Sequence, residues 1–373
     1  MTFVEPRPST RSLPTAKPAV ATRAVVRDLA STPLVGTPGT GAAGPVLLPG
    51  LDYLADLIGR VRRARRRVRL TTLTLADGAL TGALIDALVE AAHRGVDVCV
   101  QADTFTYRDS ATTVLPRQVP TRSRRAAAAL AARIREAGGT FTWLGTERGL
   151  LFKGRTHTKL TVVDDAVYAF GGVNLDDKGV TNVDFMLRFE DAAMADALAD
   201  VHGGIRDVNV APRPASFSLD HHHGEVLVDE GAKGDSIIYD RALEVVSEAE
   251  EVTLVSQYCP TGELGRAIKA REHRIYFNRP EHASPFNRIL IASSMMTTGT
   301  QTSYTHSDYL HAKVIIARMP DGTRAAITGS HNFVWRGVEY GTREIALLTR
   351  HEPSIDAIET FVNAEVHARG AED

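Results

Sequence analysis

His157-Thr158-Lys159-Leu160-Thr161-Val162-Val163-Asp164 is the stretch on which the fold turns. A histidine and a lysine two residues apart open an apolar run, and an aspartate closes it. Alternate side chains of an extended chain share a face, so His157 and Lys159 project to one side. The pairing returns near the C-terminus in Tyr309-Leu310-His311-Ala312-Lys313-Val314-Ile315-Ile316-Ala317-Arg318. Each copy is followed by a turn and a cluster of small residues, Gly171, Gly172 and Asn174 after the first and Gly329, Ser330 and Asn332 after the second. Strand-like stretches carrying Asp184 and Glu344 come next. The same set in the same order points to an internal duplication.

Outward from the first copy, periodicity predicts alternating strands and helices. Leu51 to Ala64 has helical spacing, RRRVRLTTLTL runs into a strand, TGALIDALVEAAHRG is an amphipathic helix closed by Gly95, and VDVCVQAD is a second strand. A strand-helix-strand unit implies a parallel pair with a right-handed crossover. The same grammar restarts after APRPASFSLDHHHGE, with helices in DSIIYDRALEVVSEAE and GELGRAIKA between strands. The fold class expected is α/β, as two similar lobes with mixed sheets packed about a pseudo-twofold axis. The expected boundaries are a Pro/Ala/Thr-rich disordered tail over 1–45, a first lobe over 46–210, a linker over 211–233 and a second lobe over 234–373.

Composition narrows the classes of function. The chain has 373 residues, 43% hydrophobic and 24% charged, and a formal charge of -2, so any anionic partner is held by local patches rather than by a general basic field. Two cysteines, Cys99 and Cys259, sit in or beside apolar stretches and fit a reducing compartment better than a disulfide framework. No apolar run approaches the roughly 20 residues of a membrane span. The localisation expected is cytoplasmic, with peripheral contact to a membrane.

Each copy reads as a β-hairpin with His and Lys on its first strand, and with Gly and Asn where a ligand comes close. A buried acid on the following strand accepts a hydrogen bond from a histidine ring and fixes its tautomer. Two copies facing each other would gather two His, two Lys and two Asn in one pocket suited to phosphate. The lysines and asparagines stabilise the oxygens, one histidine attacks, and the other protonates the leaving oxygen. No metal and no other cofactor is required.

This arrangement resembles the phospholipase D superfamily, whose signature H-x-K-x-x-x-x-D followed by G-G/S-x-N occurs twice. The resemblance runs from about Leu47 to the C-terminus, and EAAHRGVDVCVQAD looks like the phospholipase D and cardiolipin synthase branch. It implies a covalent phosphohistidine intermediate resolved by water or an alcohol. By position it implies His157 as nucleophile and His311 as general acid, with the reverse left open. Lys159, Lys313, Asn174, Asn332 and Ser330 would meet phosphate, and Asp184 and Glu344 would orient the histidines. Asp164, Gly171, Gly172 and Gly329 would be structural. The function expected is metal-independent hydrolysis or headgroup exchange on phospholipids by a monomer. A nuclease of the same superfamily and a catalytically silent lipid- or partner-binding homologue are the rivals.

One position departs from the signature: the second aspartate would fall at 318, where the chain has Arg318. If Asp164 makes a turn contact, the loss affects local stability more than chemistry, and Asp321 is a candidate substitute. The run RVRRARRRVR reads as a solvated face, with anionic lipid or nucleic acid as the alternative. His221, His222 and His223 read as a loop, since consecutive residues do not readily aim three imidazoles at one ion.

Overall fold

The structure is a computed structural model that describes residues 45–107, 121–145, 155–205 and 214–368. The expected tail lies outside them, apart from its last residue. In the first lobe β1 (Val46–Pro49), α1 (Gly50–Arg63), β2 (Arg67–Thr72), α2 (Gly82–His93), β3 (Asp97–Asp103), α3 (Arg122–Glu136) and β4 (Thr140–Leu144) lead to β5 (Leu160–Val163), β6 (Ala166–Ala169), β7 (Phe185–Glu190) and α4 (Ala192–Ile205). The second comprises β8 (Phe217–His221), β9 (Gly224–Glu230), α5 (Ile237–Glu248), β10 (Glu251–Val255), α6 (Gly262–Lys269), β11 (Glu272–Tyr276) and α7 (Pro285–Thr298). It ends with β12 (Val314–Arg318), β13 (Arg324–Gly329), α8 (Trp335–Tyr340), β14 (Arg343–Thr349) and α9 (Glu352–Phe361).

The two sheets have matching orders, β1-β7-β6-β5-β2-β3-β4 and β8-β9-β14-β13-β12-β10-β11. Both are mixed. The crossovers through α2 and α6 join the parallel pairs β2/β3 and β10/β11, and the central strands pair antiparallel. Superposing the orders makes β9 the counterpart of β1, with β4 and β8 as the additions peculiar to each lobe. The second repeat therefore begins before 234, and the stretch expected to be a linker carries a hairpin of its sheet, β8 paired with β9. Proline and histidine disguise it. The turn is His222-His223 with Gly224 at φ +141°, where a Cβ would lie 2.2 Å from Leu348 O. His221 Nε2 lies 3.2 Å from Asp191 Oδ2, and its Nδ1 accepts from His223 N at 3.3 Å, so both ring nitrogens of a neutral imidazole are used within the hairpin tip.

Both central strands are buried on two faces, which is why they read as continuous apolar runs instead of alternating ones. Leu160 and Val162 of β5 and Val314 and Ile316 of β12 enter one core between the sheets, with Phe185, Val228, Ile345 and residues of α4 and α9. Val163 turns to the helices of the first lobe, and Ile315 and Ala317 to those of the second. This shared core fixes the lobes against each other and so fixes the seam above it. Among the described residues no helix is long and apolar enough to cross a membrane.

Candidate active site

The histidine and lysine pairs sit at the seam, immediately upstream of β5 and β12 and not within them. Their backbone is spent on the other lobe. His157 N donates to Arg343 O at 2.8 Å, and Arg343 N to Arg155 O at 2.9 Å. The mirrored pair is His311 N to Val183 O at 2.9 Å and Val183 N to Tyr309 O at 3.0 Å. Arg343 and Val183 each precede one of the two site acids, so these short parallel bridges carry Glu344 and Asp184 to the partner lobe's histidine.

The acids are consequently exchanged. His311 Nδ1 donates to Asp184 Oδ2 at 2.6 Å, and Asp184 Oδ1 accepts from Gly172 N at 3.2 Å and Phe185 N at 2.8 Å. His157 Nδ1 lies 3.2 Å from Glu344 Oε1. A histidine held at Nδ1 by a carboxylate presents Nε2 for chemistry. Lys159 Nζ donates to its own motif's His157 O at 2.8 Å, and Lys313 Nζ to His311 O. Lys313 Nζ is also 3.1 Å from His311 Nδ1.

Burial governs the charges here. It pushes Lys159 down to about 8 and Lys313 down to about 7, although the nearby carboxylates favour their charged forms. Burial and the Lys313 charge lower His311 to about 4. Burial alone would raise the acids; the hydrogen bond from His311 with the Lys313 charge brings Asp184 below its ordinary range, and His157, His331 and Lys159 bring Glu344 to about 2. The site thus holds two carboxylates ionised beside two lysines that are poorly solvated. An arriving anion would restore their charge.

The glycines admit neighbouring protein atoms where the approach of a ligand was expected. A Cβ on Gly171 would sit 1.8 Å from Phe185 O, and one on Gly329 2.3 Å from Ile345 O. At the next position the lobes differ. A Cβ on Gly172 would meet Asp184 Oδ2 at 2.5 Å, whereas Ser330 fills that place and donates its hydroxyl to Glu344 Oε2. Ser330 is fully buried and its oxygen also accepts from Ile345 N at 3.0 Å, so it braces Glu344 and does not meet phosphate as expected. The Oδ1 atoms of Asn174 and Asn332 are buried without a partner among the described residues. Asn174 and His311 line a cleft of about 180 Å³ together with Thr74, Lys178, Gln257 and Tyr309.

Asp164 makes the turn contact expected. Held at φ +53°, it accepts from Arg65 N at 3.0 Å, Arg66 N at 2.8 Å and Arg67 N at 3.1 Å, tying the start of β2 to the end of β5. Arg318 instead ends β12 opposite Glu251 and pairs with it. Asp321 does not replace the aspartate: it accepts from Thr323 N at 2.9 Å inside its own turn. The arginine run is largely neutralised, since Arg60, Arg66, Arg67 and Arg69 pair with Glu190, Asp165, Asp196 and Asp97.

Two positioning residues escaped the sequence reading. Asp103 at the end of β3 accepts from Thr156 N at 2.9 Å and from buried Arg155 at 2.6 Å. Asn278 just after β11 accepts from Leu310 N at 2.8 Å and donates to Leu310 O at 2.7 Å. Each holds the residue preceding a motif histidine. Their signal was a polar residue closing the second parallel strand of each repeat.

Residues 57–202 match the family model described as a cardiolipin synthase, PLD-like domain. No curated protein matches the chain. Among solved structures it is similar to phosphatidylserine synthase of Haemophilus influenzae Rd KW20, with TM-score 0.63 and 14% identity over 92% of this chain and 90% of that one. It is also similar to polyphosphate kinase of Porphyromonas gingivalis, with TM-score 0.50 and 13% identity over 82% of this chain and 47% of that one. The first lobe thus matches a PLD-like domain by sequence, and the two lobes together share the fold of phosphatidylserine synthase.

Proposed function

We propose that the protein hydrolyses or exchanges the headgroup of phospholipids through a phosphohistidine, with no metal taking part and within a single chain. The observation that carries this reading is the exchanged pair of dyads. Two histidines, each with Nδ1 at an ionised carboxylate of the other lobe, stand with two buried lysines at one seam.

In the proposed step, Nε2 of one histidine bonds to phosphorus, the ester P–O bond breaks, and the other histidine gives its Nε2 proton to the departing alcohol. Water or a second alcohol then attacks phosphorus, the second histidine takes its proton, and the P–N bond breaks. Lys159 and Lys313 supply the fixed positive charge for the equatorial oxygens. Their charges balance Asp184 and Glu344, so a bound phosphodiester monoanion leaves room for one protonated histidine. Position assigns attack to His157, whose side chain is also the more open at 26% against 10% for His311. Burial and Lys313 keep His311 neutral until the anion's charge favours its protonation, which suits an acid loaded by substrate.

The arginine run, spent on its own acids, gives little support to a nucleic-acid substrate. Incubation with phosphatidylcholine and phosphatidylglycerol, in parallel with labelled DNA, and mass spectrometry of the products tests the assignment. Headgroup release with intact DNA is expected, and DNA cleavage without headgroup release overturns it. A phosphoprotein trapped at low pH should vanish in the variant of the nucleophile and persist in that of the acid. Full turnover in both His157→Ala and His311→Ala overturns the chemistry.

A further inference from the structure

Asp191, His221 and His222 converge at the side of the molecule remote from the seam. Asp191 is the single residue between β7 and α4 of the first lobe, and the two histidines lie at the tip of the β8–β9 hairpin of the second. His221 Nε2 is 3.2 Å and His222 Nε2 3.8 Å from the same carboxylate oxygen, Asp191 Oδ2. All three donor atoms fall within 4.8 Å of one another. The third consecutive imidazole does not join them: buried His223 turns against Phe189 and His351, with ring centres 5.2 and 5.1 Å away. The third donor comes from the other lobe instead.

These donors stand on fixed backbone. Asp191 N donates to Asp165 O at 3.1 Å, and Asp191 Oδ1 accepts from Met194 N at 2.8 Å as the cap of α4, which leaves Oδ2 facing the histidines. On the other side, His223 O accepts from Thr349 Oγ1 at 2.6 Å and fastens the hairpin tip to the end of β14. A carboxylate that is itself hydrogen-bonded is the usual support of a metal ligand. The spacing has a chemical meaning as well. Donors around a tetrahedral zinc, at about 2.0–2.1 Å from it, are about 3.3–3.4 Å from one another, and the 3.2 and 3.8 Å separations bracket that edge. An ion pair with Asp191 requires one imidazole, whereas here two nitrogens surround a single carboxylate oxygen.

We propose that Asp191, His221 and His222 form a zinc site that clasps the two lobes, with water in the fourth position on the open side of His222, whose side chain is 65% exposed. Two imidazoles and one carboxylate are donors that zinc accepts. The site is separate from the seam. The whole of β7 lies between Asp184 and Asp191, roughly 20 Å at about 3.3 Å per residue. In the second lobe β9 pairs Asp229 with Glu344 and Glu225 with Leu348, so the hairpin tip sits at the far end of β14 from Glu344. The ion is therefore structural, and its binding does not depend on what the seam accepts. Zinc at His221 Nε2 leaves the ring proton on Nδ1 and gives up the 3.3 Å contact from His223 N.

Isothermal titration of ZnCl2 into the full chain, after EDTA treatment and dialysis, tests the site together with thermal melts before and after the addition. One zinc per chain is expected at the tightest step, with a rise in melting temperature, because only the folded chain brings the three donors together. Asp191→Asn keeps an acceptor for Met194 N, and His222→Ala changes an exposed side chain, so both variants are expected to fold. Each should weaken the tight step by about tenfold or more and erase the zinc-induced rise in melting temperature. In ¹⁵N NMR the protonated nitrogen of His221 should change from Nε2 to Nδ1 when zinc is added. A tight step that persists in both variants assigns zinc to other donors and overturns the proposal, as does the absence of a saturable step in the unmodified chain. Binding of one equivalent that leaves the melting temperature unchanged overturns the clasp.

Discussion

Glu344, on the second lobe, reaches over the seam to His157 of the first, its Oε1 3.2 Å from Nδ1, while Asp184 of the first lobe binds His311 of the second at 2.6 Å. Glu344→Gln and Asp184→Asn keep the shape of the side chains but not the negative charge that fixes the tautomer and supports an imidazolium. Each should lower kcat by about 100-fold or more with a smaller change in KM. In ¹⁵N NMR, the tautomer of His311 should change in Asp184→Asn and stay as it is in Glu344→Gln; the opposite pattern would mean that each acid serves its own lobe.

Anion binding should weaken as pH rises. Lys313 and Lys159 lose their protons near 7 and 8, so sulfate, which does not titrate in this range, should raise the melting temperature strongly at pH 6 and little at pH 9. In the absence of anion the trend in stability is opposite. Both lysines release protons more readily folded than unfolded, where the ordinary value is 10.5, so their contribution to stability increases from about pH 7 toward 10.5. Melts with and without sulfate across this range check both signs.

Removing the acceptor at the turn should cost stability and spare chemistry. Asp164→Ala strands three backbone N–H groups and places a side chain with no local hydrogen bond at φ +53°, a loss of about 1–3 kcal/mol in urea unfolding. Asp164→Asn tolerates the left-handed backbone and should lose less. Turnover per folded molecule is expected to stay near that of the unmodified chain in both.

The support beneath the first motif should be more costly to break. Asp103→Ala leaves Arg155 buried beside a lost partner and should destabilise by about 3–5 kcal/mol. Asn278→Ala removes the matching support in the second lobe without stranding a charge. Its penalty should be nearer 1–3 kcal/mol by denaturant unfolding.

The duplication was legible because its residues are constrained locally: glycines where backbones touch, an aspartate in a left-handed turn, lysines two residues after histidines. Strand and helix periodicity carried the rest of the α/β pattern, since both central strands had to be apolar throughout. What eluded the sequence was set by contacts between distant segments. Nothing near Asp184 says that it serves His311, 127 residues away, because that partnership arises from the Val183 and Arg343 bridges. The resemblance implied Ser330 as a phosphate ligand, yet the longer Glu344 takes its hydroxyl. The β8–β9 hairpin was concealed by a proline-rich approach and a histidine turn.

The bridges at Val183 and Arg343 also determine what a fragment of this protein can be. Cut between the lobes, the first half would keep His157 and Lys159 but lack the carboxylate at its imidazole, and the second would keep His311 without Asp184. Neither piece would hold a complete dyad; each would keep a histidine whose tautomer no carboxylate fixes. If the proposed chemistry holds, turnover would gauge directly whether the two repeats are docked, and reassociation of separately made lobes could be followed by the reappearance of catalysis alone.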